Sequence, residues 1–487
     1  MKNKNIFISC FFGALLILAA CEEWLDVKPK SQVEGSELFR TESGFKDALT
    51  GVYTALTSNA LYGREMTFGF VDCIGDAYYG AGTNTVHSYA KSHLYDNASV
   101  EALIGNIWSG CYNAIATLNN ILENLETADT DMFSRDNYNV IKGEALGLRA
   151  FLHFDLLRLF APSWASDPEA AAIPYVTTYG YQTTPLSTVR EVMEKILDDL
   201  NQSTALLKAS DPVATGRVIT ASDDNGYLLH RYFHFNYYAA KATLARVYLY
   251  KQDAPNARTC ATEVINGGMV SWTSVNDMAT AQDSARDRTF VHEQAFALQV
   301  DNMESYVLGY TYGTVQYNAR FTIYVYWMNY SIWPTATHST DWRRVYLTSN
   351  SNTNSGNYYT TSKLWQAGMG ETHIKRMPLI RLPEMYLILA ETETDIAAAL
   401  GHLNTIRENR GVTAPATAVD AAALQSEVEL EYYREYVGEG YLFYYYKRLD
   451  RPTHRGGSYF YANTLNFNKE WYVLPIPKEE IEYGNRN

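Results

Sequence analysis

Two stretches of the chain combine aromatic rings with small polar side chains. In residues 72–95, tyrosines and glycines are interspersed with carboxylate, amide and imidazole groups. Residues 301–346 hold 12 aromatic residues in 46 positions. A flat aromatic face packs against the C–H surface of a sugar ring, and planar polar groups hydrogen-bond its hydroxyls. The sequence therefore predicts saccharide binding here, with these candidate contacts: Asp76, Tyr78, Tyr79, Asn84, His87, Tyr89, Tyr306, Tyr310, Tyr324, Tyr326, Trp327 and Trp333.

The same aromatic residues could instead pack irregular segments onto helices. Taken singly, each ring is more often a packing residue than a ligand contact. Taken together, we expect at least one member of each stretch to reach a ligand. A further aromatic cluster, Tyr441 to Tyr446, adjoins a charged helical motif. We assign that cluster to the core or to a partner interface.

The signatures of common catalytic and cofactor sites are missing. His292-Glu293 begins like a zinc-protease motif, but Phe296 stands where the second histidine is needed. The run from Gly80 to Thr85 lacks the third glycine of a dinucleotide loop, and neither a P-loop nor a G-x-S-x-G elbow occurs. A catalytic carboxylate pair stays open, because 54 acidic residues offer many such pairs. We predict a protein without enzymatic activity, cofactor or metal ion.

Composition narrows the class of protein further. The 487 residues include 40 Lys and Arg against 54 Asp and Glu, a formal charge of −14. Nucleic-acid binding requires a basic surface, so we expect no nucleic-acid partner. Five cysteines are too few for a disulfide scaffold. Cys73, Cys111 and Cys260 are predicted to be small buried apolar residues, with a Cys73–Cys111 bridge left open.

The first 20 residues have the pattern of an export signal. Lys2 and Lys4 precede an apolar run of about 15 residues, shorter than the roughly 20 needed to span a bilayer. The run ends in Leu18-Ala-Ala-Cys21, which resembles a bacterial lipobox. That resemblance implies cleavage before Cys21 and acylation of this residue, which makes a membrane anchor rather than a span. The acidic pair Glu22-Glu23 resembles the export signal of surface-displayed lipoproteins.

Apolar residues recur at helical spacing through most of the chain. Ser43 is the expected N-cap of the first helix, and Pro162 should end the third. Segments 237–266 and 383–410 each hold two predicted helices and a short connector, like tetratricopeptide units. Residues 208–230, 270–375 and 350–360 are predicted to be irregular loops carried by this scaffold. The predicted helices cover 45–56, 106–125, 141–159, 188–207, 237–250, 257–265, 383–390 and 396–406.

Seven motifs, in order, carry a resemblance to a known family. They begin at Cys21 (CEEWLDVKP), Gly143 (GEALGLRAF), Ala240 (AKATLARVYLY), Pro378 (PLIRLPEMYLILAE), Leu403 (LNTIRENRG), Glu439 (EG, with KR at 447–448) and Leu474 (LPIPKEEI). Together they resemble the SusD/RagB family of outer-membrane nutrient-binding lipoproteins, over essentially the whole chain after the lipobox. The chain departs from the family pattern at residues 432–433 and 438–446, where aromatic residues replace charged and aliphatic ones.

The resemblance implies both the fold and the function. It implies a mainly α, SusD-like fold in which a scaffold of tetratricopeptide-like helix pairs carries long, irregular, aromatic-rich loops. The expected organisation is a signal peptide at 1–20 and one domain at 21–487, with an N-terminal part at 21–230 and a C-terminal part at 231–487. The C-terminal part would contain the insert 270–375.

By resemblance, the protein is anchored to the outer membrane by Cys21 and faces the cell exterior. It would capture an oligosaccharide and pass it to a SusC-like TonB-dependent transporter barrel, with ligand contacts from loops in comparable parts of the chain. Three alternatives stay open: the same scaffold binding a peptide or another nutrient, a glycan-degrading enzyme, and a structural subunit that binds only its barrel.

The charged residues of the motifs are predicted to hold the scaffold together. They lie on predicted helices among apolar neighbours, where a charge must be paired. We therefore expect ion pairs rather than ligand contacts for Arg149, Arg246, Arg381, Glu384 and Arg407.

Overall fold

Helices form most of the protein in a computed structural model. The structure describes residues 35–280, 283–311, 321–353, 356–365, 373–454 and 465–484. The predicted export signal and Cys21 lie outside these residues. The α-helices are α1 Gly35–Leu38, α2 Glu42–Leu56, α3 Phe70–Ile74, α4 Val86–Lys91, α5 Ala98–Thr127, α6 Asn137–Phe160, α7 Val189–Ser210, α8 Pro212–Thr215, α9 Tyr237–Tyr250, α10 Ala254–Asn266, α11 Val275–Met278, α12 Met303–Val307, α13 Val325–Trp327, α14 Thr335–His338, α15 Trp342–Leu347, α16 Leu382–Thr392, α17 Ile396–Glu408, α18 Ala421–Tyr436, α19 Leu442–Arg448 and α20 Lys478–Tyr483.

The long helices pack against one another in sequence, and this confirms the mainly helical fold. Helix α5 packs on α6, α6 on α7, and α7 on α9. The two predicted helix pairs are present as α9 with α10 and α16 with α17, and α10 also packs on α16. Because each helix covers the apolar face of the next, the pairs form one layered scaffold.

Two helix starts differ from the sequence prediction. Helix α2 begins at Glu42, and Thr41 rather than Ser43 is its N-cap, because the Thr41 hydroxyl accepts a hydrogen bond from the Gly44 amide at 3.2 Å. Helix α5 begins at Ala98, well before the predicted residue 106, with Asn97 as its N-cap. The N-cap prediction was wrong by two residues, since both positions offer a hydroxyl near the first turn.

Helix α6 is buried on nearly all sides, although the sequence predicted one apolar stripe. It packs against α2, α5, α7 and α9 at once. Its charged side chains Glu144, Arg149, Asp155 and Arg158 are therefore buried as well. Each of them is paired, as the energetic cost of a buried charge requires.

Strands replace part of the predicted irregular insert. Strand β1 (Gly80–Ala81), β3 (Phe321–Tyr324), β5 (Gly356–Thr361) and β4 (Thr348–Thr353) form an antiparallel sheet in the order β1-β3-β5-β4. Strand β2 (Gln294–Gln299) pairs with β6 (Arg376–Arg381), and β7 (Thr453–His454) with β8 (Leu465–Asn466). The segment predicted as a loop at 350–360 thus belongs mostly to the β4–β5 hairpin. Its sequence is rich in Asn, Ser and Thr, and such a composition predicts a loop rather than strands.

One apolar core runs from Phe39 to Leu474. Cys73, Cys111 and Cys260 are buried and unbridged, which confirms them as small apolar residues. Most of the Tyr441–Tyr446 cluster is also buried in this core. In the described part of the chain, no helix is both long and apolar enough to cross a membrane.

Candidate functional site

The outer face of the four-stranded sheet carries tyrosines. In β3, Phe321 and Ile323 are buried, whereas Thr322 and Tyr324 are only half-buried. This alternation follows from the two-residue period of a strand. Tyr358 on β5 is the cross-strand partner of Tyr324, and their ring centroids lie 6.0 Å apart. The two rings therefore share one face of the sheet.

Tyr79 brings a third ring to this face. Its amide donates a hydrogen bond to the Thr322 carbonyl at 2.6 Å, directly before β1. Its ring centroid lies 5.3 Å from that of Tyr324 and 5.6 Å from that of Tyr358. Gly80 permits this approach, because a Cβ atom there would lie 2.6 Å from the Thr322 hydroxyl.

Tyr326 and Tyr330 form a second and more exposed aromatic pair just after β3. They stand four residues apart on the helical turns after β3, and their ring centroids are 4.4 Å apart. Tyr326 is 53% exposed and Tyr330 is 67% exposed. Tyr326 is two positions after Tyr324, so their Cα atoms are at most about 7 Å apart. We call Tyr79, Tyr324, Tyr326, Tyr330 and Tyr358 the tyrosine face.

Polar groups adjoin these rings along the chain. Asn84 is exposed in the turn after β1, with a positive φ of 54° that asparagine tolerates. The amide oxygen of Asn329, beside Tyr330, accepts a hydrogen bond from Arg344 at 3.1 Å. Asp76 is buried and forms an ion pair with Lys91 at the end of α4. Amide groups thus lie close in sequence to the rings of the tyrosine face.

Tyr78, Trp327 and Trp333 lie beneath the surface rather than on it. Tyr78 is 0% exposed, stacks on Phe321 at 4.4 Å and donates its hydroxyl hydrogen to the Phe68 carbonyl or to Asp72. Trp333 is 1% exposed. Trp327 packs edge-on against a buried tyrosine of α18. Tyr78 supports β3 from below and the two tryptophans pack in the core, so burial removes these three candidates from the ligand contacts.

The buried ionisable groups below the face have shifted pKa values. Burial raises the pKa of the Tyr78 phenol well above its ordinary value, and the nearby Asp72 charge adds to this. Burial also raises the pKa of Asp72 to about 7, against the effect of amide donors from Gly438 and Gly440. These groups take part in internal hydrogen bonds and are not presented to a ligand.

His87 and Tyr310 belong to a polar network beside the sheet. His87 is buried, with its Nε2 atom 2.9 Å from Glu65, and its ring meets Tyr310 edge-on. Arg64 donates to Glu65 at 2.6 Å and to the Tyr310 hydroxyl at 3.2 Å. Burial raises the pKa of Glu65, but the contacts with His87 and Arg64 outweigh it and lower the pKa overall. Tyr89 is half-buried nearby on α4.

Tyr306, another predicted ligand contact, lies away from the tyrosine face. It lines a separate cavity of about 410 Å³ together with Tyr53, Phe233 and His234. The structure therefore brings the rings of Tyr79 and Tyr324 together, places Tyr326 against Tyr330 two positions further along the chain, and separates Tyr306 from them. Sequence reasoning missed Tyr330, which follows Tyr326 at helical spacing, and Tyr358, whose polar strand gave no periodic signal.

The charged motif residues form ion pairs inside the scaffold, as predicted. Arg149 contacts Asp199 at 2.7 Å and Arg246 contacts Glu384 at 2.6 Å. Arg381 reaches three buried glutamates, and Arg407 reaches one buried and one partly exposed glutamate. Among the described residues, no group of three or more His, Cys, Asp or Glu side chains is arranged to hold a metal ion.

Comparisons with known proteins agree with this architecture. Residues 23–249 match a family described as "Starch-binding associating with outer membrane". Among curated proteins, SusD-like protein P25 of Formosa agariphila is 26% identical over 165 residues, which is 33% of this chain and 31% of that protein. SusD-like protein P38 of the same organism is 24% identical over 56% of this chain and 48% of that protein. The chain thus matches less than half the length of these curated relatives.

Solved structures match over nearly the whole fold. A SusD superfamily protein from Bacteroides thetaiotaomicron VPI-5482 superposes with a TM-score of 0.70 at 23% identity, covering 91% of this chain and 98% of that one. A SusD-like carbohydrate binding protein from Bacteroides vulgatus ATCC 8482 gives a TM-score of 0.70 at 20% identity, covering 91% and 97%. The chain therefore shares the fold of these SusD superfamily structures, and its residues 23–249 are similar to the family described as starch-binding and associating with the outer membrane.

Proposed function

We propose that the protein is a cell-surface lipoprotein that captures an oligosaccharide on the tyrosine face. One observation carries this proposal: three separate chain segments, at residue 79, residues 324–330 and residue 358, bring five tyrosines to the sheet and the helical turns after it. Two of these rings are more than half exposed. Exposed aromatic rings that lie in contact with one another are typical of a recognition surface.

The chemistry of the face suits a sugar better than an apolar ligand. Each tyrosine offers a flat apolar surface for the C–H groups of a pyranose and a hydroxyl for its oxygen atoms. The rings come partly from strands, which hold them in fixed relative positions and limit the entropy lost on binding. The family description and the carbohydrate-binding relative support a glycan as ligand.

Delivery to a transporter completes the proposal. By family resemblance, the partner is a SusC-like TonB-dependent barrel in the outer membrane, and this chain covers it as a lid. Acylated Cys21 would anchor the protein beside the barrel on the outside of the cell. The ligand passes into the barrel unchanged, so no bond is made or broken and no cofactor is needed.

Calorimetric titration with plant, host and microbial glycans and mixed peptides tests the proposal. We expect saturable glycan binding that Tyr326→Ala or Tyr330→Ala weakens by roughly 2- to 12-fold, from about 0.5–1.5 kcal/mol per aromatic contact. Tyr181→Ala is the matched control, because Tyr181 is fully exposed and lies outside the tyrosine face.

Three outcomes would contradict parts of the proposal. A peptide signal with no glycan signal would overturn the ligand class. Release of reducing ends by pure protein would make it an enzyme. Equal losses of glycan affinity in the Tyr181→Ala and Tyr330→Ala variants would show that the tyrosine face is not the binding site.

A further inference from the structure

A second cavity, of about 830 Å³, lies apart from the tyrosine face in its residues and its chemistry. It is bounded by the segment 212–232 after α7, residues 269–277, the start of β2 and residues 373–376. Its volume falls within the range of small-molecule sites. We call it the basic cavity, and its polar lining includes Arg217, His230, His292, Gln294, His373 and Arg376.

Most other charges of the lining are already balanced. Arg231 forms ion pairs with Asp211 at 2.8 Å and Glu144 at 2.5 Å. Arg217 reaches Asp136 at 3.5 Å. Asp277 accepts hydrogen bonds from the backbone and hydroxyl of Ser274 as part of a helix cap. Arg231 and Arg217 are thus neutralised by carboxylates, whereas Asp277 keeps its negative charge in the lining.

Arg376 differs from the other arginines that line this cavity. It is half-buried and, among the described residues, forms no ion pair. Its guanidinium lies 4.1 Å from the centre of the Tyr232 ring and donates to the Tyr232 hydroxyl at 2.5 Å. Burial lowers the pKa of Arg376, whereas ion pairs raise the pKa of Arg231. Asp287 also acts on Arg376 electrostatically, but without a direct ion pair, so among the described residues this guanidinium is held in a fixed orientation with no carboxylate in contact.

Other groups around Arg376 keep hydrogen-bonding capacity. The side-chain oxygen of Gln294, Nδ1 of His373 and Nε of Arg217 are buried without a hydrogen-bond partner in the described structure. The nearest carboxylate to His373 is Asp287, 4.0 Å away, and both Asp287 oxygens accept backbone amides of residues 289–291. The buried Gln294 oxygen can still accept a hydrogen bond.

We propose that the basic cavity binds a small hydroxylated anion, with its carboxylate or sulfate group against the guanidinium of Arg376. The planar guanidinium donates two parallel hydrogen bonds to such a group. Hydroxyls of the same ligand meet the exposed imidazole of His292 and the rest of the polar lining. An acidic saccharide unit, a uronate or a sulfated sugar, has this combination of groups. This site is independent of the proposed glycan binding on the tyrosine face.

The test is calorimetry on the purified full chain at low salt, with three probes. Trigalacturonate supplies carboxylates, glucose 6-sulfate supplies a sulfate, and maltotriose is neutral. We expect at least one charged probe to bind, and Arg376→Gln to weaken it about tenfold or more, as loss of a charged hydrogen bond predicts. The charged probe that binds identifies which anionic group, carboxylate or sulfate, the cavity recognises.

Lys375→Gln is the matched control. It is the adjacent residue and removes the same charge, but its side chain is exposed and paired with Asp301 at 3.0 Å, away from the lining. We expect less than a twofold change. If Arg376→Gln fails to fold, His292→Glu replaces it, because His292 is exposed and a carboxylate there should repel the anion by several-fold.

Further measurements separate this site from the tyrosine face. Tyr330→Ala should leave the affinity for the charged probe unchanged, and 0.5 M salt should reduce that affinity. If neither charged probe gives a binding signal with the wild-type chain, the proposal is overturned. Equal affinities of the Arg376→Gln and Lys375→Gln variants would overturn it as well.

Discussion

Mild acid should destabilise the protein through His153, a residue of helix α6 that is fully buried. Its Nδ1 atom lies 2.8 Å from the Arg149 carbonyl, to which it donates, and its Nε2 atom accepts the Val176 amide at 3.0 Å. The ring also stacks on Tyr175 at 3.9 Å. Protonation would place a hydrogen on Nε2 and expel the Val176 donor. Burial lowers the pKa of His153 to about 3.

The sign and size of the effect follow from linkage. Because the folded pKa is about 3 and an unfolded histidine has a value of 6.5, the unfolded chain binds more protons between these pH values. Stability is therefore lost as the pH falls below 6.5. At pH 5 the loss relative to pH 7 is about 2 kcal/mol. The figure depends on the unfolded value alone, since any folded pKa below about 4 leaves the buried ring neutral at pH 5.

The measurement is urea unfolding of the wild type and of His153→Gln at pH 7 and pH 5, followed by tryptophan fluorescence. Glutamine cannot titrate, so the wild type should lose about 2 kcal/mol more than the variant between the two pH values. Other groups with shifted pKa values, such as His93 and Asp72, titrate in both proteins and cancel in the difference. Equal losses, within about 0.5 kcal/mol, would refute the assignment of a neutral buried imidazole.

Three further predictions follow from single sites. Glu384→Gln leaves the buried guanidinium of Arg246 without its counter-charge and should cost about 3–5 kcal/mol of unfolding free energy in urea; a loss below about 1 kcal/mol would contradict the ion-pair interpretation. Gly105→Ala has open space around the new Cβ and removes a glycine from a helix interior, so it should raise the melting temperature through a gain of about 0.5–1 kcal/mol. Gly80→Ala should lower the melting temperature and weaken glycan binding, and a higher melting temperature for Gly80→Ala than for Gly105→Ala would contradict the close packing at β1. Cys21→Ala should release the protein from the membrane fraction, and retention without other partners would exclude the proposed anchor.

Sequence patterns predicted the helical scaffold because its signals are local. Apolar spacing identified the pairs α9–α10 and α16–α17, and the burial cost of charge predicted the ion pairs of Arg149 and Arg246. The strands were missed because β2 and β6 are buried on both faces along almost their whole length, so no alternation of apolar and polar residues marks a face. Strand β4 has a polar sequence, which is also typical of a loop.

The sequence by itself determined the class of fold, the family resemblance and the two aromatic-rich stretches. Only the tertiary structure decided which rings share a surface. Tyr78 and Tyr79 are neighbours in the chain, yet one is in the core and the other lies beside Tyr358, nearly 280 residues away. Adjacent residues of an extended segment point to opposite sides, and strand pairing between distant segments sets which side faces solvent. The basic cavity likewise exists only because four separated segments meet around Arg376.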